Sequence, residues 1–232
     1  MSEPFFDYIT NNRNTVSNQM YGQETNEKRY IREAYQLLPQ TNDSTVSLVE
    51  TLRSRKTTRM FKDAPLQLPA LSGLLQLSLS KDTKSDSSFH FSFPSGGGLY
   101  PIETYLLVID VEGLKSGVYH YSATEHSIAR ISDAVFDIVS LNSDFGTEFT
   151  TLPQALVLMT MVKSRCVYKY GSLSYTLVLL EAGHRGQNIC LAAAANKIGV
   201  CPMGGANYTV VNKMLGVDGV NEHYIYSLAI GK

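Results

Sequence analysis

The chain has 232 residues, 44% of them hydrophobic and 18% charged, with a formal net charge of −1. That balance fits an ordinary globular protein with a sizeable core, and it supplies no general attraction to nucleic acid or to anionic membranes. No apolar run approaches the roughly 18 residues a membrane helix needs. The amino terminus "MSEPFFDYITNNRN" lacks the basic start and apolar stretch of a secretion signal, so the chain reads as cytoplasmic. Cys166, Cys190 and Cys201 are odd in number, show no C-x-x-C spacing and sit among apolar residues. They read as buried free thiols rather than as a disulfide framework or zinc site.

Residues 1–44 form a polar stretch rich in Asn, Gln and Thr, carrying Phe5, Phe6, Tyr8, Tyr21, Tyr30 and Tyr35. The aromatics predict an arm that packs on a body running from 45 to 232. In "STVSLVETLRSRKTTRMF", Ser47 followed by Glu50 is a capping-box pattern, and Leu48, Val49 and Leu52 supply an apolar face. Pro69 suits a first helical turn before Leu71, Leu74 and Leu75. A surface loop is expected at 81–88. "TYLLVIDV" (104–111), "ALVLMTMV" (155–162) and "HYIYSLAIG" (223–231) read as strands, with "GVYHYS" and "IARIS" as shorter ones around the turn "ATEHS". "SYTLVLLEAGHRGQNICLAAAANKIG" predicts a long central helix buried on nearly all sides, with Gly199 at its C-terminal cap. Helices and strands alternate without βαβ regularity, which predicts an α+β layer with a central mixed or antiparallel sheet.

"FPSGGGLYPIE" (93–103) places three glycines before a strand, whereas phosphate-binding loops follow a strand, and Leu99 and Tyr100 stand where a P-loop needs Lys and Ser or Thr. A tight turn and a close approach of backbone to a ligand remain as readings. Arg53, Arg55, Lys56 and Arg59, with Thr57 and Thr58, could hold a phosphate or form a solvated basic face. Lys169 and Tyr170 stand side by side between a strand and the central helix, and both residue types serve as acid or base once neighbours tune them. Glu181 and His184 lie three apart, a spacing that admits a shared metal but suits a structural hydrogen bond better. His90, His120, His126 and His223 are scattered and form no readable triad. "CPMGGAN" (201–207) brings a second glycine pair, Gly204 and Gly205, whose amides could donate to a ring acceptor.

In their order, "SRKTTRMF", "PSGGGLYPIE", "KYGSLSYTLVLLEAGHRGQN" and "CPMGGAN" resemble the nitroreductase superfamily. Within it they resemble the FMN-dependent dehydrogenases that oxidise azolines to azoles. Relatives of that branch act on ribosomal peptides such as microcin B17 and streptolysin S, or as oxidase domains of nonribosomal peptide assembly. The resemblance covers 45–232 and implies the nitroreductase fold, a homodimer and FMN at the interface. It implies Arg55, Lys56, Thr57, Arg59 and Lys232 at the FMN phosphate. Pro94, Ser95, Gly96 and Gly97 would lie against the flavin, and Pro202, Gly204 and Gly205 near its N5 edge. Lys169 and Tyr170 match the pair tied to catalysis. The implied substrate is a thiazoline or oxazoline in a peptide or on a carrier, with dioxygen as onward acceptor and a cyclodehydratase or synthetase as partner. An NAD(P)H-driven nitro or quinone reductase and a non-catalytic flavin-binding subunit are the alternatives. Leu173 and Thr176 stand where relatives commonly carry Arg, whereas Tyr175 is kept.

Overall fold

Successive side chains of a strand point to opposite faces of its sheet, and in strand β2 (Ile102–Val108) every residue is buried. Ile102, Leu106 and Val108 enter one hydrophobic cluster, while Tyr105 and Leu107 enter another. The continuous apolar runs of the sequence therefore reflect a sheet covered on both sides. The computed structural model describes residues 27–41, 45–81 and 91–232. Phe5, Phe6, Tyr8, Tyr21, His90 and all but the first residue of the loop expected at 81–88 lie outside the described residues.

The described strands are β1 (Tyr35–Leu37), β2, β3 (Gly117–Ser122), β4 (Ser127–Ser132), β5 (Ala155–Val162), β6 (Gly199–Met203) and β7 (Glu222–Gly231). They form one sheet in the order β1-β4-β3-β2-β5-β7-β6, with each pairing antiparallel. Helix α1 (Leu48–Ser54) precedes α2 (Leu68–Leu79); further along come α3 (Ile138–Phe145), the single turn α4 (Val167–Tyr170), α5 (Leu173–Ala195) and α6 (Tyr208–Leu215). On one face α2 contributes Leu71, Leu74, Leu75 and Leu79, and α5 contributes Val178, Ile189 and Ala193. On the other, α3 supplies Leu141 and Phe145, and α6 supplies Val211 and Leu215. Each fully buried leucine is worth about 1.5–3 kcal/mol relative to exposure, so both helical layers hold the sheet.

Strand β2 runs 102–108 rather than the expected 104–111. Its end is set where Ile109 N and Asp110 N turn to donate to Gln154 O, at 2.9 and 3.0 Å. The C-terminal cap of α5 also differs from expectation. Asn196 is the cap, Lys197 takes the positive φ of 56°, and Ile198 N closes the end on Ala193 O at 2.9 Å. Gly199 instead opens β6, where a Cβ would lie 2.9 Å from Thr58 Cγ2. Its small size admits the crossing segment, whose Thr58 N donates to Val200 O at 2.8 Å.

Residues 27–41 are bound into this body. Besides the β1–β4 pairing, Lys28 Nζ meets Glu222 Oε2 at 2.7 Å, and Lys28 N donates to Glu103 Oε1 at 2.8 Å. Glu103 also takes His120 Nε2 at 2.8 Å and pairs with Arg165. Burial acts to raise its pKa, but the His120 hydrogen bond and the Arg165 charge outweigh it and hold the carboxyl at about 2.

Candidate functional site

The segment before β2 runs antiparallel along one face of α5, touching it about once per helical turn. Asn188 Nδ2 donates to Ser92 O and Ser92 Oγ, both at 3.1 Å. The Arg185 guanidinium lies 4.3 Å from the Phe93 ring centroid. Ser95 Oγ donates to Glu181 Oε2 at 2.5 Å, and a Cβ on Gly96 would meet Leu177 Cδ1 at 3.2 Å. Positions 177, 181, 185 and 188 share one face of a helix, which is why four residues of an irregular segment can dock on them.

Beyond Ser95 the chain makes a 3-10 turn over Gly96–Gly98. Gly97 and Gly98 have φ of +65° and +67°, and Tyr100 has φ of +44°. Left-handed backbone is open to glycine and costs a bulky residue about 1–2 kcal/mol. The Tyr100 conformation is held by its N–H, which Ser95 Oγ accepts at 2.9 Å, and by its ring, 4.6 Å from Phe91.

The turn brings Gly97 against the Lys-Tyr pair. A Cβ built on Gly97 would sit 2.7 Å from Lys169 Nζ and in hard contact with the Tyr170 hydroxyl. Lys169 Nζ lies 5.3 Å from the centre of the Tyr170 ring. Both polar heads thus converge on one spot of bare backbone, and both side chains are half-buried. The pair belongs to α4, where Lys169 N and Tyr170 N donate to Cys166 O at 3.1 and 3.0 Å.

The basic segment lies toward the other end of α5. The Cys190 thiol is pushed up by burial and feels the charge of Arg55, while Cys201 feels that of Arg59. Lys56 and Arg59 are exposed, and Arg55 and Thr57 half-buried. Lys62 N donates to Lys232 O at 2.7 Å, and Lys232 N donates to Gln154 Oε1 at 2.9 Å. The chain's final lysine is therefore tethered to the end of the segment that carries Arg55, Lys56, Thr57 and Arg59. This cationic set with its threonines has the chemistry of a phosphate site.

Pro202 lies in β6 opposite Leu228. Gly204 and Gly205 follow, both exposed, and a Cβ on Gly204 would meet nothing within 4 Å. The Gly204 backbone is open to a flat ligand, as is the face of Gly98, whereas a Cβ on Gly205 would meet Phe145 O at 3.6 Å. The bare surfaces suit a flavin ring and the cationic set suits the phosphate of a flavin mononucleotide, with the glycine loop and the cationic set lying toward opposite ends of α5.

One residue that the sequence pattern paired differently is central here. Glu181, 2% exposed, does not face His184; it accepts from Arg185, 4% exposed, through Nε at 3.1 Å and Nη2 at 2.8 Å. His184 is exposed, and no metal-binding group occurs among the described residues. The only sequence signal for this arrangement was the i, i+4 spacing of Glu181 and Arg185. Of the histidines, His120 is committed to Glu103 and Tyr35, His126 to Ser72 and Tyr121, and His223 stacks on Tyr175. All three cysteines are buried and free.

The model of the nitroreductase family matches residues 52–232. A Methanocaldococcus jannaschii protein named as a nitroreductase, MJ1384, is 26% identical over 187 residues, covering 81% of this chain and 91% of that protein. The Escherichia coli microcin B17-processing protein McbC is 29% identical over 133 residues, or 54% of this chain and 48% of McbC. The trifolitoxin-processing protein TfxB of Rhizobium leguminosarum is 30% identical over 109 residues, 43% of this chain and 28% of TfxB. Among solved structures, a Ralstonia eutropha protein described as a nitroreductase superposes with a TM-score of 0.73 at 23% identity, over 91% of this chain and 95% of that one. The E. coli microcin synthetase McbBCD complex gives 0.65 at 22%, over 85% and 77%. A Desulfovibrio desulfuricans protein described as a nitroreductase in complex with FMN gives 0.53 at 16%, over 79% and 84%. With its antiparallel sheet between two helical layers and a family match over most of its length, the chain belongs to the nitroreductase family.

Proposed function

We propose that the protein is an FMN-dependent dehydrogenase that oxidises a thiazoline or oxazoline, in a peptide or carrier-bound intermediate, to the thiazole or oxazole. The observation that carries this reading is the convergence of Lys169 Nζ and Tyr170 OH on the bare backbone of Gly97. Similarity to the microcin- and trifolitoxin-processing proteins supports it.

Aromatising an azoline removes a proton from Cα and a hydride from the adjacent ring carbon. Bound FMN supplies the acceptor for that hydride, with dioxygen as the onward oxidant. The protein's own task is the proton: either Lys169 or Tyr170 takes it, and the other, at the same spot, orients its partner. Arg55, Lys56, Thr57, Arg59 and Lys232 would hold the phosphate. Pro94, Ser95, Gly96, Gly97, Pro202, Gly204 and Gly205 would present backbone and ring surfaces to the flavin.

The two sets are separated along α5. Leu177, beside Gly96, and Cys190, beside Arg55, are thirteen residues apart, about 20 Å at the helical rise of ~1.5 Å per residue. The five-carbon ribityl arm is shorter than that. A homodimer removes the mismatch if each flavin uses the phosphate set of one chain and the glycine loop of the other. Leu48, Val49 and Leu52, 53–67% exposed on α1, and Tyr175, Leu179 and Leu180 on α5 give the apolar face such a dimer needs. The azoline itself must come from a cyclodehydratase or synthetase, which fits the resemblance to the McbBCD complex.

The test is anaerobic mixing of flavin-loaded protein with a thiazoline peptide. Rapid bleaching with a product lighter by two hydrogens is expected, with no comparable bleaching by NAD(P)H. Bleaching by NAD(P)H alone would make the protein a reductase, and bleaching by neither would make it a binding subunit.

A further inference from the structure

We propose that Glu181 is a positioning residue for the reaction: it clamps the Ser95–Tyr100 loop and so holds Gly97 against Lys169 and Tyr170. The kinetic consequence rests on the azoline-oxidising reading, whereas the effect on the loop does not.

The two carboxylate oxygens of Glu181 have separate work. Oε1 accepts both bonds from Arg185, at 3.1 and 2.8 Å, and Oε2 accepts from Ser95 Oγ at 2.5 Å. Arg185 is itself fixed over the Phe93 ring at 4.3 Å. The carboxylate is thus held in one rotamer by a buried guanidinium, and it fixes the hydroxyl rotor of Ser95. A carboxylate accepts only, so the Ser95 proton points at Glu181 and a lone pair is left for the Tyr100 N–H, 2.9 Å away. The Ser95 carbonyl takes the Gly98 N–H at 3.1 Å. Two bonds from one residue therefore close a loop that contains three glycines and three of the positive φ angles. Glycines alone leave that loop free to take many shapes. Its single shape, and the seating of Gly97 on the Lys-Tyr heads, is imposed through Ser95 by Glu181.

Glu181→Gln keeps the volume and one acceptor. Its amide nitrogen cannot accept the Ser95 proton while its oxygen stays on Arg185. Ser95→Ala removes the clamp but leaves the Glu181–Arg185 pair intact, so it tests the idea even if Glu181→Gln fails to fold. Ser95→Thr restores the hydroxyl. Hydrogen exchange of the Gly98 and Tyr100 amides, without substrate, is expected to quicken at least tenfold in Glu181→Gln and Ser95→Ala, and to return to the parent rate in Ser95→Thr. In thiazoline turnover the first two variants are expected to lose at least tenfold in kcat with KM changed less than twofold. The Glu181→Gln/Ser95→Ala double variant should be no slower than the worse single one. Unchanged exchange at Gly98 and Tyr100 in Ser95→Ala overturns the proposal, as does a KM effect with kcat intact. If the parent oxidises no azoline, the functional reading fails, while the exchange measurement still decides what Glu181 does to the loop.

Discussion

Gly97 combines a φ of +65° with a neighbour on the one side where a Cβ would go. What that Cβ would meet first is the chain's own Lys169 and Tyr170. Both contacts are tips of side chains, which can swing aside, so Gly97→Ala is expected to fold. Its left-handed backbone should cost about 1–2 kcal/mol in a denaturant melt. Because the pair is displaced, azoline turnover should fall by at least about tenfold, a loss of some 1.4 kcal/mol in transition-state binding. An alanine variant at the parent rate would show that the Lys-Tyr heads need not meet at this backbone. The glycine run and the Lys-Tyr string were both visible in the sequence as local strings. Their meeting was not, because it joins residues more than seventy positions apart through a turn. Glu181 was misjudged for the same reason. Its near neighbour in sequence, His184, faces outward, and its partner Ser95 lies 86 positions away.

Elements were legible where their burial was extreme. β5 and β7 carry continuous apolar runs because helices cover both faces, and α5 shows an apolar stretch long enough to read as a helix. Some short elements escaped, although α1, β3 and β4 were readable. α3 and α6 are eight residues each, and each buries only two side chains one turn apart. Their caps were written in the chain: Asp137 accepts from Val139 N and Ser140 N at 2.8 and 2.9 Å, and Gly146 and Gly216 close the two helices in the left-handed region. β6 was hidden because it starts at Gly199, expected as a helix cap, and ends in the "CPM" of "CPMGGAN", where a proline argues against a strand. Pro202 is tolerated where β6 forms the last strand of the sheet. The outward turn of Leu48, Val49 and Leu52 also reversed the expected burial of α1: Thr51 is the residue that α1 buries.

At the scale of the whole molecule, α5 passes the cationic segment near one end and the glycine loop near the other. A dimer that shares its sites can be complemented. Mixing Lys169→Ala/Tyr170→Phe chains with Arg55→Glu/Lys56→Glu chains should restore about a quarter of parental activity, because half the dimers are mixed and each holds one sound site of two. Sites built within one chain would show no recovery. The family resemblance supplied the expectation of a shared site, whereas the geometry that supports it came from tertiary structure: a basic segment paired with β6, and a final lysine tied to Gln154. In the proposed reaction Lys169 and Tyr170 move the azoline proton. This role is tested most directly by giving flavin-loaded Lys169→Ala/Tyr170→Phe a thiazoline peptide and following the heterocycle by mass spectrometry. Flavin is expected to stay bound while loss of two hydrogens slows by at least about 100-fold. Loss of two hydrogens at the parent rate, with flavin still bound, would contradict that role.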